Sequence, residues 1–329
     1  MTSLGPLLES FFLDHLYRHL EASPNTVASY RDTFCLLLRF AQGRLGRAPS
    51  ELMLTDIDPP FVSAFLSHLE TDRHCQPQTR NVRLSAIRSF FSYIALREPA
   101  HSGLIQRVLA LPKKKSDKNL VDYMTRPEME ALINAADTTT WIGRRDRALM
   151  IVGTQTGLRV SELIALCPEH LVLGKGAHLR IRGKGRKQRC VPLTHKTAAA
   201  LAAWLKEHRP EPSKPIFQTR RGAMSRDAVE RIMKRHAVRA TKACPALKDK
   251  RVSPHVMRHT AAMRMLEDRI GTATMALVLG HESEQTTHVY LHADLSLMEK
   301  ALARTAPPSL KGNPRYRPGD RVMEFLNGL

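Results

Sequence analysis

The sequence predicts a mainly α-helical protein with a small antiparallel β-sheet in its second half. Along most of the chain, apolar residues recur three and four positions apart, which is the spacing that lines one face of a helix. Two short segments, 178–182 and 188–193, alternate instead and flank a Gly-rich turn, as the strands of a hairpin do. The chain has 329 residues, more than one core usually supports, so we expect two domains.

The first domain, residues 1–111, is predicted to be entirely helical. Four segments carry the helical spacing, with these apolar positions: Leu8, Phe12, Leu16 and Leu20; Val27, Tyr30, Phe34, Leu37 and Ala41; Phe61, Phe65 and Leu69; Leu84, Ile87, Phe91 and Ile94. Ser23 and Pro24 are typical of the cap and the first position of a helix, so they begin the second segment. Gly43 is expected to end it.

A basic segment, residues 112–119, is the predicted linker between the domains, because it has a run of like charge and no apolar period. It is either an ordinary solvated loop or a strap along phosphates. The second domain, residues 120–305, opens on a capping box from Thr125 to Glu128. Its later helical patterns cover 197–207, 226–242, 254–268 and 295–304. The tail, residues 306–329, is rich in Pro, Gly and Arg and is expected to be loosely ordered.

The charge balance predicts a polyanionic partner. Lys and Arg number 51 against 31 Asp and Glu, which leaves a net charge of +20. Charge alone does not separate DNA from RNA, and a passive basic binder such as a ribosome-associated or nucleoid protein is an alternative at this point. The candidates for nucleic-acid contact lie on the polar side of the fourth predicted helix and in the basic segment: Arg80, Arg83, Arg88, Lys113, Lys114 and Lys115.

The cysteines and the N-terminal residues indicate in which cellular compartment the protein is expected. The five cysteines are odd in number, scattered and without a C-x-x-C pair, which favours a reducing cytoplasm over disulfides or zinc. A secretory signal peptide begins with basic residues followed by an apolar stretch, whereas this N-terminus carries the acidic Glu9 and Asp14. No run of apolar residues is nearly long enough to span a membrane. We therefore expect a cytoplasmic, nucleoid-associated protein with no membrane contact.

Two segments of the second domain place an arginine on a helix beside a second polar group. Arg159 precedes Glu162 by three positions, so the carboxylate could hold the guanidinium, whose fork of donors matches two phosphate oxygens. His255 and Arg258 share a face of a helix that Ser253 caps, which puts a group titrating near neutral pH beside a second fork. Taken alone, each segment also fits a surface ion pair or a polar helix end.

Three further residues stand in settings that suit a site. Lys184 lies in the turn between the two predicted strands. Gly280 is expected to end an apolar helix and to let His281 turn into a site. Tyr290 follows nine positions later, although a tyrosine between apolar neighbours is commonly a half-buried packing residue.

Together, the boxes T-G-L-R-V-S-E, G-K-G-R-K-Q-R, H-V-M-R-H and L-G-H and the later tyrosine resemble the tyrosine recombinase (phage integrase) family, above all its short Xer-like and transposon-borne members. The resemblance spans residues 120–305, and the helical first domain is similar to the family's core-binding domain. It implies a site-specific recombinase that cleaves and rejoins double-stranded DNA in integration, excision or transposition, as a homo-tetramer on synapsed DNA or with partner recombinases. The implied catalytic residues are Arg159, Lys184, His255, Arg258, His281 and Tyr290, with Glu162 in support.

The resemblance also implies the chemistry: Tyr290 forms a 3'-phosphotyrosine, without a metal or other cofactor. A zinc site is an alternative, because two pairs of histidines stand four apart, His255 with His259 and His288 with His292. No H-E-x-x-H motif accompanies them, so we expect no metal. A second alternative is a DNA-binding regulator that keeps the fold without using the chemistry.

Overall fold

The computed structural model describes residues 2–115, 122–183 and 188–280, together with Thr287. The chain divides into two compact units, Met1–Lys118 and Asn119–Leu329, and each has its own apolar core. The domain, linker and tail bounds given above stay predictions, since the tail, the predicted helix 295–304 and half of the basic segment lie outside the described residues. No helix in the described part of the chain is long and apolar enough to cross a membrane.

The first unit is helical, as predicted. Its helices are α1 (Leu4–Ser10), a π-helix (Phe11–His19), α2 (Pro24–Leu45), α3 (Pro59–Thr71), α4 (Pro77–Ile94) and α5 (Ser102–Leu109), with short 3-10 turns at Pro49–Glu51, Leu54–Asp56 and Pro99–His101. The residues predicted to face inward from α3 and α4 are all buried. Phe11, Phe34 and Phe90 meet edge to face at the centre of this core, with ring centroids 5.5–6.1 Å apart.

The N-terminal helix buries a different face from the one predicted. Leu8 and Leu16 are buried, but Phe11 is fully buried in place of Phe12, and Leu20 is 56% exposed. In a π-helix each backbone hydrogen bond joins residues that are five positions apart. Phe11 and Leu16 therefore lie on the same face of this helix. A prediction based on α-helical spacing could not include this change of phase.

The start of α2 is confirmed, whereas its predicted end is wrong. The Ser23 Oγ accepts a hydrogen bond from the Thr26 backbone N at 3.2 Å, and Pro24 takes the first position. The helix continues past Gly43 to Leu45 and ends at Gly46, whose φ of 68° is left-handed. A glycine inside a helix costs only about 1 kcal/mol, which the packing of a 22-residue helix outweighs.

The second unit joins helices to two small antiparallel sheets. Its helices are α6 (Arg126–Asn134), α7 (Trp141–Thr156), α8 (Val160–Ile164), α9 (His195–His208), α10 (Arg226–Ala240), α11 (Pro254–Glu267) and α12 (Thr272–Leu279), with 3-10 turns at Pro168–His170 and Pro245–Leu247. Strands β1 (Leu171–Val172), β2 (His178–Arg182) and β3 (Gln188–Pro192) form one sheet in that order, and β4 (Gln218–Thr219) and β5 (Gly222–Ala223) form the other. The predicted hairpin is confirmed, with Arg182 opposite Gln188; β1, β4 and β5 were not predicted.

The central helix of the second unit is α7, which packs against α9 and α11. Ala148, Leu149, Met150 and Val152 are all buried, so this helix has no single apolar face. For that reason its spacing does not reveal it in the sequence. Its last turn leads directly into Arg159, one of the predicted site residues.

Candidate active site

The turn from α7 to α8 fixes the position of Arg159. Gly157 ends α7 with a left-handed φ of 61°, and Arg159 caps α8 in extended conformation. A side chain at Gly157 would have no room, since a Cβ there would lie 2.6 Å from the Leu279 Cδ2. The close packing of this turn against α12 therefore depends on glycine.

Two guanidinium groups converge on the end of α12. The Arg258 Nη2 donates to the Leu279 carbonyl at 2.8 Å, and the Arg159 Nη2 donates to the next carbonyl, that of Gly280, also at 2.8 Å. The Arg258 Nη1 donates to the Gly157 carbonyl at 2.8 Å. A helix C-terminus favours cations, and consecutive carbonyls hold both arginines next to each other. Arg258 is 6% exposed, whereas the Arg159 side chain is 37% exposed.

Glu162 holds Arg159 from the other side, as predicted from the sequence. Its Oε1 lies 3.1 Å from the Arg159 Nη1, and its Oε2 accepts a hydrogen bond from the Arg159 backbone N at 2.9 Å. The carboxylate therefore fixes both the backbone and the guanidinium of this arginine.

Arg189, on β3, is a residue that the sequence reasoning missed. Its Nη1 and Nη2 pair with the two Glu162 carboxylate oxygens at 3.1 and 2.8 Å, and its Nε donates to the Val278 carbonyl at 3.0 Å. The signal was present, because Arg189 stands two positions from the buried Val191 and so shares the inward face of the strand. It connects the hairpin to α8 and α12.

Glu162 remains ionised despite its burial. Burial raises its pKa, but the hydrogen bonds and charge of Arg189, followed by those of Arg159, outweigh that effect and lower the pKa below its ordinary value. One negative charge is thus shared by two arginines.

His255 lies in the first turn of α11, three positions before Arg258. The Ser253 Oγ caps this helix by accepting from the Val256 backbone N at 3.3 Å, and Pro254 takes the first position, as predicted. The His255 ring meets that of His259 edge to face, with centroids 4.2 Å apart. Desolvation, and then the charge of Arg258, lower the pKa of His255, so its imidazole is neutral at pH 7 and can accept a proton.

Three predicted catalytic residues, Lys184, His281 and Tyr290, lie outside the described residues, as do His288 and His292. Their predicted roles stay predictions. Gly280 ends α12 with a left-handed φ of 67°, which confirms the predicted helix end before His281. Among the residues that the structure describes, no three His, Cys, Asp or Glu side chains come together as metal ligands.

The predicted DNA-contact arginines of α4 have partners within the first unit. Arg83 donates to the Ser29 carbonyl and to the Thr33 Oγ1, both at 3.0 Å. Arg88 donates to the Leu109 carbonyl, and Arg80 to the Pro112 carbonyl at 3.4 Å. These bonds connect α4 to its neighbours, a structural role that the sequence analysis did not include.

The first residues of the basic segment, which follows α5 in the chain, are hydrogen-bonded to α4. The Asn81 side chain exchanges two hydrogen bonds with the backbone of Lys114, at 2.8 and 3.0 Å, and the Lys114 Nζ pairs with Glu70 at 2.9 Å. Lys113 and Lys115 are exposed. A contact with phosphates stays a prediction for all three lysines.

The chain matches two family models: the phage integrase family over residues 122–296, and the phage integrase N-terminal SAM-like domain over residues 10–98. The "Putative integrase/recombinase y4rC" of Sinorhizobium fredii is 48% identical, over 99% of this chain and 98% of that protein. The tyrosine recombinase XerD of Pseudomonas putida is 31% identical, over 92% and 97% of the two chains.

Solved structures share the fold. The XerH site-specific recombinase bound to a palindromic difH substrate superposes with a TM-score of 0.68 at 22% identity, covering 86% of this chain and 80% of that one. A lambda integrase dimer bound to a COC' core site gives a TM-score of 0.65 at 19% identity, covering 89% and 97%. The fold of this chain, a helical unit followed by a mainly helical unit with a small antiparallel sheet, is therefore that of these proteins.

Proposed function

Since this chain belongs to the phage integrase family of tyrosine recombinases, which cut and rejoin DNA strands, we propose that Arg159 and Arg258 bind the DNA phosphate that Tyr290 attacks. The observation that carries this proposal is the convergence of the two guanidinium groups on the consecutive carbonyls of Leu279 and Gly280. Two fixed cations side by side offset the charge that grows on the phosphate oxygens in a pentavalent transition state.

The proposed reaction exchanges one phosphoester for another. The Tyr290 oxygen bonds to phosphorus while the bond from phosphorus to the 5'-oxygen breaks, which leaves a 3'-phosphotyrosine and a free 5'-hydroxyl. His255, neutral at pH 7, accepts the phenolic proton, Lys184 supplies a proton to the departing oxygen, and His281 donates a hydrogen bond to the phosphate. The covalent intermediate conserves the energy of the phosphoester, so religation needs no cofactor.

Glu162 acts through Arg159 and is a positioning residue. It contacts the Arg159 guanidinium and backbone, and it is itself fixed by Arg189. A guanidinium that is already oriented does not have to reorganise as the transition-state charge develops, and the rate benefits from that.

The partner is double-stranded DNA. The net charge of +20 fits a polyanion, and the XerH and lambda integrase structures with this fold are DNA complexes. We propose a homo-tetramer on synapsed DNA, or assembly with partner recombinases, with Lys113, Lys114 and Lys115 along the backbone of the duplex. A nucleoid-associated, cytoplasmic location follows from that partner.

Crosslinking the protein on DNA with two recombination sites should give a tetramer; a dimer as the largest species would contradict this assembly.

Integration, excision and transposition remain the possible tasks. A DNA-binding regulator without chemistry is not favoured, since the chain is similar to proteins named recombinases and integrases over nearly its full length. Sequencing the DNA trapped covalently by the purified enzyme would identify its target.

The proposed nucleophile can be tested with a nicked DNA substrate that traps the covalent intermediate. Wild-type protein should accumulate a denaturant-resistant protein–DNA adduct, whereas Tyr290→Phe should form none yet bind DNA with unchanged affinity. Tyr123→Phe is the matched control, because it removes one phenolic hydroxyl from the same unit. A normal yield of adduct from Tyr290→Phe would place the nucleophile elsewhere.

A further inference from the structure

A second basic site lies at the other end of α7 from Arg159. A pocket of about 340 Å³ is lined there by Thr140 and Trp141 at the start of the helix and by Arg220, Arg235 and Arg239. Because α7 has 16 residues at about 1.5 Å each, roughly 20 Å of helix separates this pocket from the catalytic arginines.

Arg235 is held in place by a buried carboxylate. Asp146 is 0% exposed and accepts from the Arg145 Nη2 at 2.6 Å, the Arg235 Nη2 at 2.7 Å and the His236 Nε2 at 2.9 Å. Arg145 contributes one positive charge, which is equal to the charge of Asp146, so the positive charge of Arg235 is additional. The Arg235 side chain is 46% exposed, so its remaining donors are open to a ligand.

Two further arginines in the pocket, Arg220 and Arg239, are not held by hydrogen bonds to other described residues. Arg220 lies in the turn between β4 and β5, and Arg239 lies one helical turn beyond Arg235 on α10. Within the described ranges, neither side chain makes a hydrogen bond, nor an ion pair within 4 Å. The Asp137 carboxylate at the rim accepts from the Thr139 backbone N and hydroxyl and keeps its negative charge, which the charge of Arg239 stabilises. Against this one charge stand the three positive charges of Arg220, Arg235 and Arg239. Positive charge is therefore in excess in the pocket.

The start of α7 also favours an anion here. The first turn of a 16-residue helix forms one wall, and its amide groups and dipole present positive charge. His236 also lines the pocket; it is 1% exposed, and its Nε2 lies 2.9 Å from the Asp146 carboxylate.

We propose that this pocket binds a phosphate group, in addition to the phosphate at the active site. Three guanidinium groups around a helix N-terminus match the several oxygens of a phosphate better than the two of a carboxylate. The volume exceeds that of a bare ion and reaches the range of small-molecule sites, so the phosphate belongs to a larger molecule. That molecule is either a free phosphorylated compound or the backbone of DNA.

The two tryptophans of the chain provide the measurement. Trp141 lines the pocket, and the ring of Trp204 lies 5.3 Å from it, so intrinsic fluorescence reports on this site. Titration of the full-length protein with pyrophosphate, and separately with ribose 5-phosphate, should give a saturable change with a dissociation constant below about 1 mM. The double variant Arg220→Gln/Arg239→Gln should weaken binding by about tenfold or more, since each loses a charge-assisted hydrogen bond.

The matched control is Arg221→Gln/Arg231→Gln, which removes the same charge from exposed positions of the same turn and helix outside the pocket. It should bind both phosphates as the wild type does. Equal weakening in the two double variants, or no saturable change in the wild type with either phosphate or with duplex DNA, would overturn the proposal. Loss of duplex DNA affinity confined to the pocket variant would assign the phosphate to DNA; unchanged DNA affinity would assign it to a free compound.

Discussion

Arg189 and Glu162 form a two-point ion pair, with nitrogen–oxygen distances of 3.1 and 2.8 Å. The same carboxylate contacts Arg159, so Arg189 acts on the proposed catalytic arginine through Glu162. The side chains of Arg189 and Glu162 are 13% and 8% exposed, respectively, which limits screening of the pair by solvent.

Arg189→Gln should lower the rate of strand cleavage by about a hundredfold, because Arg159 would lose its fixed orientation. DNA affinity should change little. Single-turnover cleavage and a binding titration measure the two effects, and Arg180→Gln, on the exposed face of β2, is the control. A purely structural role would instead lower the melting temperature and leave cleavage by the folded fraction unchanged.

Glu162→Gln should destabilise the protein at pH 7 by about 1–3 kcal/mol, because the largely buried Arg189 and the partly exposed Arg159 both lose their counter-charge. The folded pKa of Glu162 lies below its ordinary value of 4.5, so its contribution is complete above pH 4.5 and is lost as the pH falls through the folded pKa. Urea unfolding from pH 7 to pH 3 should show the variant and the wild type converging in acid. Glu130→Gln, which removes an exposed carboxylate, should change stability little at any pH; a constant difference for Glu162→Gln down to pH 3 would contradict the assignment.

His255→Gln should slow cleavage by about a hundredfold or more at pH 7, since a proton acceptor is removed. In the wild type the cleavage rate should fall only at a pH lower than the ordinary histidine pKa of 6.5, because the pKa of His255 lies below that value. The variant should lose this acid limb. His195→Gln is the control: it replaces a histidine in the first turn of α9, and this variant should keep the acid limb of the pH profile. An acid limb that persists in His255→Gln would assign the proton acceptor to another group.

Gly157→Ala should destabilise the second unit by about 2–4 kcal/mol, the sum of a left-handed φ and overpacking against Leu279. Gly176→Ala is the matched control, because Gly176 also has a positive φ, 72°, but its Cβ would meet no atom within 4 Å. It should cost only about 1–2 kcal/mol. Thermal unfolding measures both values, and equal losses would mean that the packing of Gly157 contributes nothing.

Strand cleavage should be unimpaired after prolonged dialysis against EDTA, because the charges of Arg159 and Arg258 perform the electrostatic stabilisation that a metal ion would otherwise supply. The yield of covalent adduct before and after dialysis tests this. Loss of the adduct, with recovery on adding a divalent ion, would favour the histidine pairs as metal ligands.

The sequence predicts the local parts of the site well and its long-range parts poorly. The ion pair of Arg159 with Glu162 and the cap of α11 follow from neighbouring residues, so their spacing reveals them. The contact of Arg159 with Gly280 joins residues 121 positions apart, and no local pattern encodes it. The alternation of β3 places Arg189 on the inward face, but its partner Glu162 lies on another element, 27 positions away, and no local pattern identifies it.

The same distinction applies to the fold. The hairpin of β2 and β3 and the caps of α2, α6 and α11 were predicted, because alternation and capping residues are local signals. The π-helix and the central α7 were not, since one departs from α-helical spacing and the other buries both apolar and polar residues on more than one face.

The adjacent carbonyls at the end of α12 make the two arginines interdependent. The two acceptors are the carbonyl groups of the neighbouring residues Leu279 and Gly280, so a displacement of this turn would lengthen both hydrogen bonds together. A substitution that moves Leu279 or Gly280 is therefore expected to change the orientation of both guanidinium groups and not of one alone.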